Sequence, residues 1–238
     1  MLWRRIESVM RRGKYIAVFA EGGCGFVLHL GMSGVIRIEP TAAARRYEKH
    51  DHVEFLMEGG ERIVFNDSRR FGFVEALDAC GWQNYRAFAA MGPEPLSNDF
   101  NGPVLAQTLL GRTGAIKTAL LDQKIVAGIG NIYACEALYA AGIDPQRGAG
   151  DLSEGECARL AGAIKSVLRA ALEAGGSSLK DYRHADGKLG YFQTSFAVYD
   201  REGEACGVCD CDMIGGGCGV HRIVQGGRST FYCSQKQR

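Results

Sequence analysis

The chain has 238 residues, 46% of them hydrophobic and 23% charged, and a formal net charge of +1. That composition supplies one large core or two modest ones and excludes disordered and collagen-like architectures. The small net charge neither demands nor excludes nucleic acid, because it does not report how charge is spread over a surface. No run approaches the roughly 20 apolar residues needed to span a bilayer. The basic start, with Arg4, Arg5, Arg11, Arg12 and Lys14, leads into no apolar signal segment, so a soluble, intracellular protein is expected.

Between residues 14 and 75 short β-prone runs alternate with turn residues. The runs are Tyr15 to Phe19, Phe26 to Leu30, Val35 to Ile38, Val53 to Met57, Arg62 to Phe65 and Phe71 to Leu77. Gly22-Gly23, Gly31, Gly59-Gly60 and Asp67-Ser68 separate them, which predicts antiparallel sheet in a sandwich or barrel. Met91 to Pro95, followed by Ser97-Asn98-Asp99, interrupts regular structure and marks a boundary near residue 95.

Beyond that boundary the pattern becomes helical. Helices are predicted over about 102–122 and 131–141, the second stopped by Gly142 and Pro145. Val126-Ala127-Gly128-Ile129-Gly130-Asn131 lies between them, and its two glycines either offer backbone N–H groups to an anion or simply make a tight turn. Ser153 and Glu156 form a capping box ahead of Leu160, Ile164, Val167, Leu168, Ala171 and Leu172, a helical stripe closed by Gly175-Gly176.

Nine cysteines are unevenly placed: Cys24, Cys80, Cys135 and Cys157 stand singly, whereas Cys206, Cys209, Cys211, Cys218 and Cys233 crowd the end. Clustering of this kind points to a metal rather than a disulfide framework.

Five stretches carry a family resemblance. They are His29-Leu30-Gly31-Met32-Ser33-Gly34, Asp67-Ser68-Arg69-Arg70-Phe71-Gly72, Gly128-Ile129-Gly130-Asn131-Ile132-Tyr133-Ala134, Asp186-Gly187-Lys188-Leu189-Gly190-Tyr191-Phe192 and Gly227-Arg228-Ser229-Thr230-Phe231-Tyr232-Cys233. In order and spacing they resemble the bacterial formamidopyrimidine-DNA glycosylases, more than the related endonuclease VIII branch. The resemblance implies an α+β chain: an N-terminal antiparallel β-sandwich over 1–92, incomplete at its start, a helix-two-turn-helix domain over 93–195, and a zinc-finger-like hairpin over 196–238. It also implies a monomer of the bacterial cytoplasm, associated with the nucleoid, that clamps damaged double-stranded DNA between its halves. The implied activity is base-excision repair: flipping an oxidised purine such as 8-oxoguanine or a formamidopyrimidine, cutting its glycosidic bond, and breaking the backbone by elimination.

Residue roles follow from the same resemblance. Met32, Arg69 and Phe71 match the wedge that fills the space of the flipped nucleotide; a thioether and a ring replace lost stacking, and a guanidinium bonds the estranged base. Taken alone, a Met and a Phe beside glycines read as core. Lys14 matches the lysine that contacts the lesion's phosphate and sugar and assists proton transfer, against the plainer reading of a solvated basic run. His50 and Arg112 match DNA contacts, although lysine is more usual at the latter, and Lys117 matches a position near the damaged nucleotide. Asn131 is placed to grip a phosphate or to cap its helix. The stretch from Ser177 to Tyr191 matches a loop closing over the flipped base. Arg228 matches the arginine that binds flanking phosphates and takes part in the elimination.

Two departures accompany the match. The family's nucleophile is an N-terminal proline followed by a glutamate; Met1-Leu2-Trp3 offers neither, and the match places Met1 past the usual opening helix and first strands. A non-catalytic damaged-DNA-binding protein is therefore the alternative. In the finger, Cys206, Cys209 and Cys233 match three ligands of one zinc ion, but Lys236 stands where the fourth cysteine is expected, leaving Cys211, Cys218 or His221 to complete the site.

Overall fold

At Gly13 the backbone takes a φ of 56° and folds the basic N-terminal run back as a strand. The computed structural model describes residues 4–40, 47–77, 85–177, 190–209 and 219–238. The strand so formed, β1 (Ile6–Arg12), pairs with β2 (Tyr15–Ala20), and β3 (Cys24–His29) and β7 (Phe73–Leu77) complete a four-stranded antiparallel sheet in the order β1-β2-β3-β7. A second antiparallel sheet has the order β4-β6-β5, from β4 (Gly34–Pro40), β5 (Asp51–Leu56) and β6 (Glu61–Asp67). Phe26 of the first sheet stacks on Phe55 of the second with ring centroids 4.6 Å apart, and Val27, Leu28, Val64 and Phe65 are buried. The expected sandwich is therefore present. β1 was not among the expected strands: Ile6, Val9 and Met10 are exposed, so no alternation between core and solvent marks its sequence.

The helical part is built from α2 (Gly102–Leu109), α3 (Ile116–Leu121), α4 (Asn131–Ala141) and α5 (Glu154–Glu173), after a single turn, α1 (Arg86–Ala89), that ends the sandwich segment. The helix expected over 102–122 is two helices, because Gly111 adopts a left-handed φ of 72° and breaks the run. Asn101 caps α2 by accepting the Val104 N–H at 3.1 Å, and the Ser153–Glu156 box caps α5 as expected. Phe100, Leu105, Leu109, Ile116, Leu120, Ile125, Ile129, Leu138, Leu160 and Ile164 form one core. Leu172, counted in the α5 stripe, is instead 67% exposed at its last turn. The final hairpin pairs β8 (Val220–Gln225) with β9 (Arg228–Cys233).

The described residues of Met1–Ala89 and Ala174–Gln193 form one compact unit, and those of Ala90–Glu173 and Thr194–Arg238 the other. The hairpin shares a unit with the helices: Cys135 and Tyr139 of α4 pack with Val198, Cys206, Val220, Phe231 and Cys233 in a second core. Among the described residues no helix is long and apolar enough to cross a membrane.

Candidate nucleic-acid interface

In the sandwich unit two loops meet around one carboxylate. Asp67, fully buried, accepts the Ser33 hydroxyl at 2.5 Å, the Arg69 N–H at 3.3 Å and the Gly72 N–H at 2.7 Å. Burial alone would raise its pKa; the Ser33 hydroxyl and the N–H groups of Gly72, Arg69 and Arg70 outweigh it and hold the acid below its ordinary value. Arg70 takes a left-handed φ of 56°, which returns the chain toward the carboxylate. At Gly31 an added Cβ would lie 2.5 Å from the Gly72 nitrogen, so only glycine allows the two loops to touch.

On this locked base Met32 is 66% and Phe71 58% exposed, and the Arg69 guanidinium lies 5.0 Å from the Phe71 ring centroid. The structure thus brings together the three residues matched to the wedge, and their apolar ends are not core. His50 adjoins the Asp67 base, since its carbonyl accepts the Asp67 N–H at 3.1 Å. Lys14 is exposed beyond the Gly13 turn and lowers the pKa of His29, an effect second to burial of that ring. The His29 Nδ1 accepts the Gly31 N–H at 3.0 Å, tying this strand end to the Met32 loop. Ser177 and Tyr191 form an antiparallel bridge, while 178–189, most of the expected closing loop, lies outside the described residues.

In the helical unit Arg228 is exposed at the start of β9, after Gly226 and Gly227 turn the hairpin with φ of 55° and 72°. Asn131 begins α4, and its amide nitrogen donates to the Ser229 carbonyl at 2.8 Å while its buried oxygen has no hydrogen-bond partner among the described residues. Of the two readings of the glycine turn, the tight turn has direct support, because the Gly128 N–H is occupied by Gln123 Oε1 at 2.7 Å. Arg112 is surface-exposed and shared with Asp122, 3.5 Å away. Lys117 is fully buried, and among the described residues its ammonium has no hydrogen-bond partner; burial lowers its pKa, opposed by the thiol of Cys135 and reinforced by Arg228.

The Sγ atoms of Cys206, Cys209 and Cys233 lie within 4.8 Å of one another. Burial raises the Cys206 pKa, but hydrogen bonding from Cys209 and its backbone outweighs this and brings the thiol down to about 6. Three convergent thiols suit zinc, which takes four tetrahedral ligands in structural sites. His221 does not supply the fourth: it pairs with Tyr232 while Val220 pairs with Cys233, so strand alternation turns it to the other face, where its Nε2 lies 3.1 Å from Ser234 Oγ. Cys211 and Cys218 lie outside the described residues. The Lys236 ammonium sits 3.7 Å above the Tyr139 ring.

Sequence reasoning passed over two residues that organise this unit. Glu136, only 5% exposed, accepts the N–H groups of Ala197, Val198 and Tyr199 at 2.9, 3.0 and 2.8 Å. Gln237, 2% exposed, accepts the Cys233 N–H at 2.8 Å and donates to the Ile143 carbonyl at 2.9 Å. A glutamate within a helix and a glutamine in a polar tail carry no signal of such burial.

A β-sandwich bearing a locked wedge-like pair of loops and a helical unit bearing an arginine hairpin define a DNA-repair glycosylase architecture. The formamidopyrimidine-DNA glycosylase N-terminal domain matches residues 3–74, and that family's H2TH domain matches residues 91–183. The chain is 48% identical to the formamidopyrimidine-DNA glycosylase of Ruegeria pomeroyi, over 99% of this chain and 83% of that protein. It is 47% identical to that of Rhodospirillum rubrum, over 98% and 83%. Among solved structures, MutM (Fpg) of Thermus thermophilus superposes with a TM-score of 0.85 at 41% identity, covering 98% of this chain and 83% of that one. Lactococcus lactis Fpg in complex with DNA containing an abasic site gives 0.87 at 32% identity, covering 99% and 83%. The chain belongs to the formamidopyrimidine-DNA glycosylase family.

Proposed function

We propose that the chain acts in base-excision repair as a DNA glycosylase and abasic-site lyase on duplexes carrying oxidised purines, 8-oxoguanine and formamidopyrimidines. Family membership supports the reaction class, and the observation that carries the site is the Asp67-centred platform that leaves Met32 and Phe71 bare beside Arg69. Two exposed apolar ends on a polar surface suit the gap left by an extruded nucleotide, where they replace base stacking. Lys14 and Arg228 are the catalytic-side cations of this reading, Lys14 assisting proton transfer at the lesion's sugar and Arg228 holding the phosphates that flank it. His50, Arg112 and Asn131 contact the DNA backbone, and Lys117 acts on the interface from beneath it. Cys206, Cys209 and Cys233 would hold one zinc ion, which when bound cross-links the ends of the finger segment. A monomer of the bacterial cytoplasm, working at the nucleoid, fits this role.

The chemistry requires an amine that attacks C1′, displaces the base and forms an imine reducible by borohydride. Borohydride trapping on duplexes with 8-oxoguanine or an abasic site tests it, using the 238-residue chain beside one extended upstream to a Pro-Glu start. An adduct with either chain is the expected outcome, and one with both assigns the amine to the present sequence. Lesion-selective binding with no adduct from either chain would make the protein a damaged-DNA binder.

A further inference from the structure

We infer that contacts from α4 and Gln237 suffice to hold the β8–β9 hairpin and the segment before it in place, so that a metal bound among the thiols adds little to their anchorage. Three polar side chains of α4 reach this part of the chain from successive turns of the helix. Asn131 donates to the Ser229 carbonyl at 2.8 Å. Glu136 accepts three consecutive backbone N–H groups, those of Ala197, Val198 and Tyr199. The Tyr139 hydroxyl donates to the Cys206 carbonyl at 2.7 Å.

Gln237 closes the far end. Its amide oxygen takes the Cys233 N–H and its amide nitrogen gives to the carbonyl of Ile143, just after α4. A metal among the thiols joins Cys206 and Cys209 to Cys233, and those two ends are already anchored to the α4 region, Cys206 through Tyr139 and Cys233 through Gln237. Lys236 strengthens the same seat by resting on the Tyr139 ring, a use of the side chain that an ammonium without lone pairs permits and metal ligation does not. Because these bonds are buried, water cannot replace either partner when one is removed. Gln237 is thus a positioning residue for Arg228, acting through β9.

The test uses the full chain supplied with zinc, then stripped with EDTA and checked by metal analysis, and reads amide hydrogen exchange along β8 and β9. Stripping is expected to change protection of the β9 amides by less than about twofold, whereas Gln237→Ala lowers it roughly tenfold with or without zinc. Exchange in α5 serves as the folding control. Should Gln237→Ala also open α5, Tyr139→Phe removes only the bond to Cys206, and protection across 197–209 is expected to fall. Loss of β9 protection on stripping alone overturns the inference, as does unchanged protection in the variants. The consequence for Arg228 rests on the DNA-binding reading, and failure of that reading appears separately, as absent affinity for an abasic-site duplex in the untreated chain.

Discussion

The Ser33 hydroxyl and the Asp67 carboxylate, 34 residues apart in sequence, share a 2.5 Å hydrogen bond beneath the two loops that present Met32 and Phe71. Ser33→Ala removes the hydroxyl without altering backbone geometry, and Asp67→Asn removes the charge that several N–H groups converge on. Each is expected to cost about 1–3 kcal/mol of stability, with Asp67→Asn at the upper end. Lesion-duplex affinity should fall more than affinity for undamaged duplex, measured by fluorescence anisotropy on matched oligonucleotides. Equal losses on both would separate the Asp67 platform from lesion recognition.

Lys117 carries a buried ammonium with no hydrogen-bond partner among the described residues, an arrangement that burdens the free protein. Lys117→Met, similar in length and apolar, is expected to raise stability in urea by about 1 kcal/mol or more while weakening duplex binding. A loss of stability would show that the charge is compensated in the native state.

The Glu156 carboxylate is held at about 2, from an ordinary 4.5, chiefly by the Arg147 guanidinium and then by the Ser153 N–H. A depressed folded-state pKa means that the unfolded chain takes up the proton first as acid is added. The stabilisation is therefore complete above pH 4.5 and lost as the pH falls toward 2. Glu156→Gln should lower stability at neutral pH by about 1 kcal/mol, as loss of a capping box does, and flatten the acid limb of urea stability measured from pH 5 downward.

Arg228→Ala should weaken binding to all duplexes by about 1–3 kcal/mol and reduce the salt slope by about 1, the signature of one lost phosphate contact. Arg112, already shared with Asp122, is expected to matter less. Salt titrations of the two variants side by side decide the ranking.

What the sequence could reveal was set by local periodicity. The capping box at Ser153 and the glycine-stopped α4 were legible because their determinants lie within a few residues of one another. β1 was not, since an edge strand whose apolar residues are exposed on both faces shows no alternation between core and solvent. The wedge residues were readable only through resemblance; composition alone assigned Met32 and Phe71 to the core, and their exposure reverses that. Asp67, Glu136 and Gln237 each owe part of their role to a partner distant in the chain, respectively Ser33, the 197–199 backbone and Ile143, and no spacing rule reaches those.

Helix α4 has no solvent-facing side over most of its length, its residues Ala134 to Tyr139 all being buried. Ala134, Ala137 and Leu138 serve the helical core while Cys135 and Tyr139 serve the hairpin. Neighbouring positions on one helix therefore answer to different parts of the molecule. In a saturation library this segment should be the least permissive in the helical unit, with even alanine-to-serine changes depleted, and in a lineage it should drift more slowly than the exposed face of the hairpin it supports.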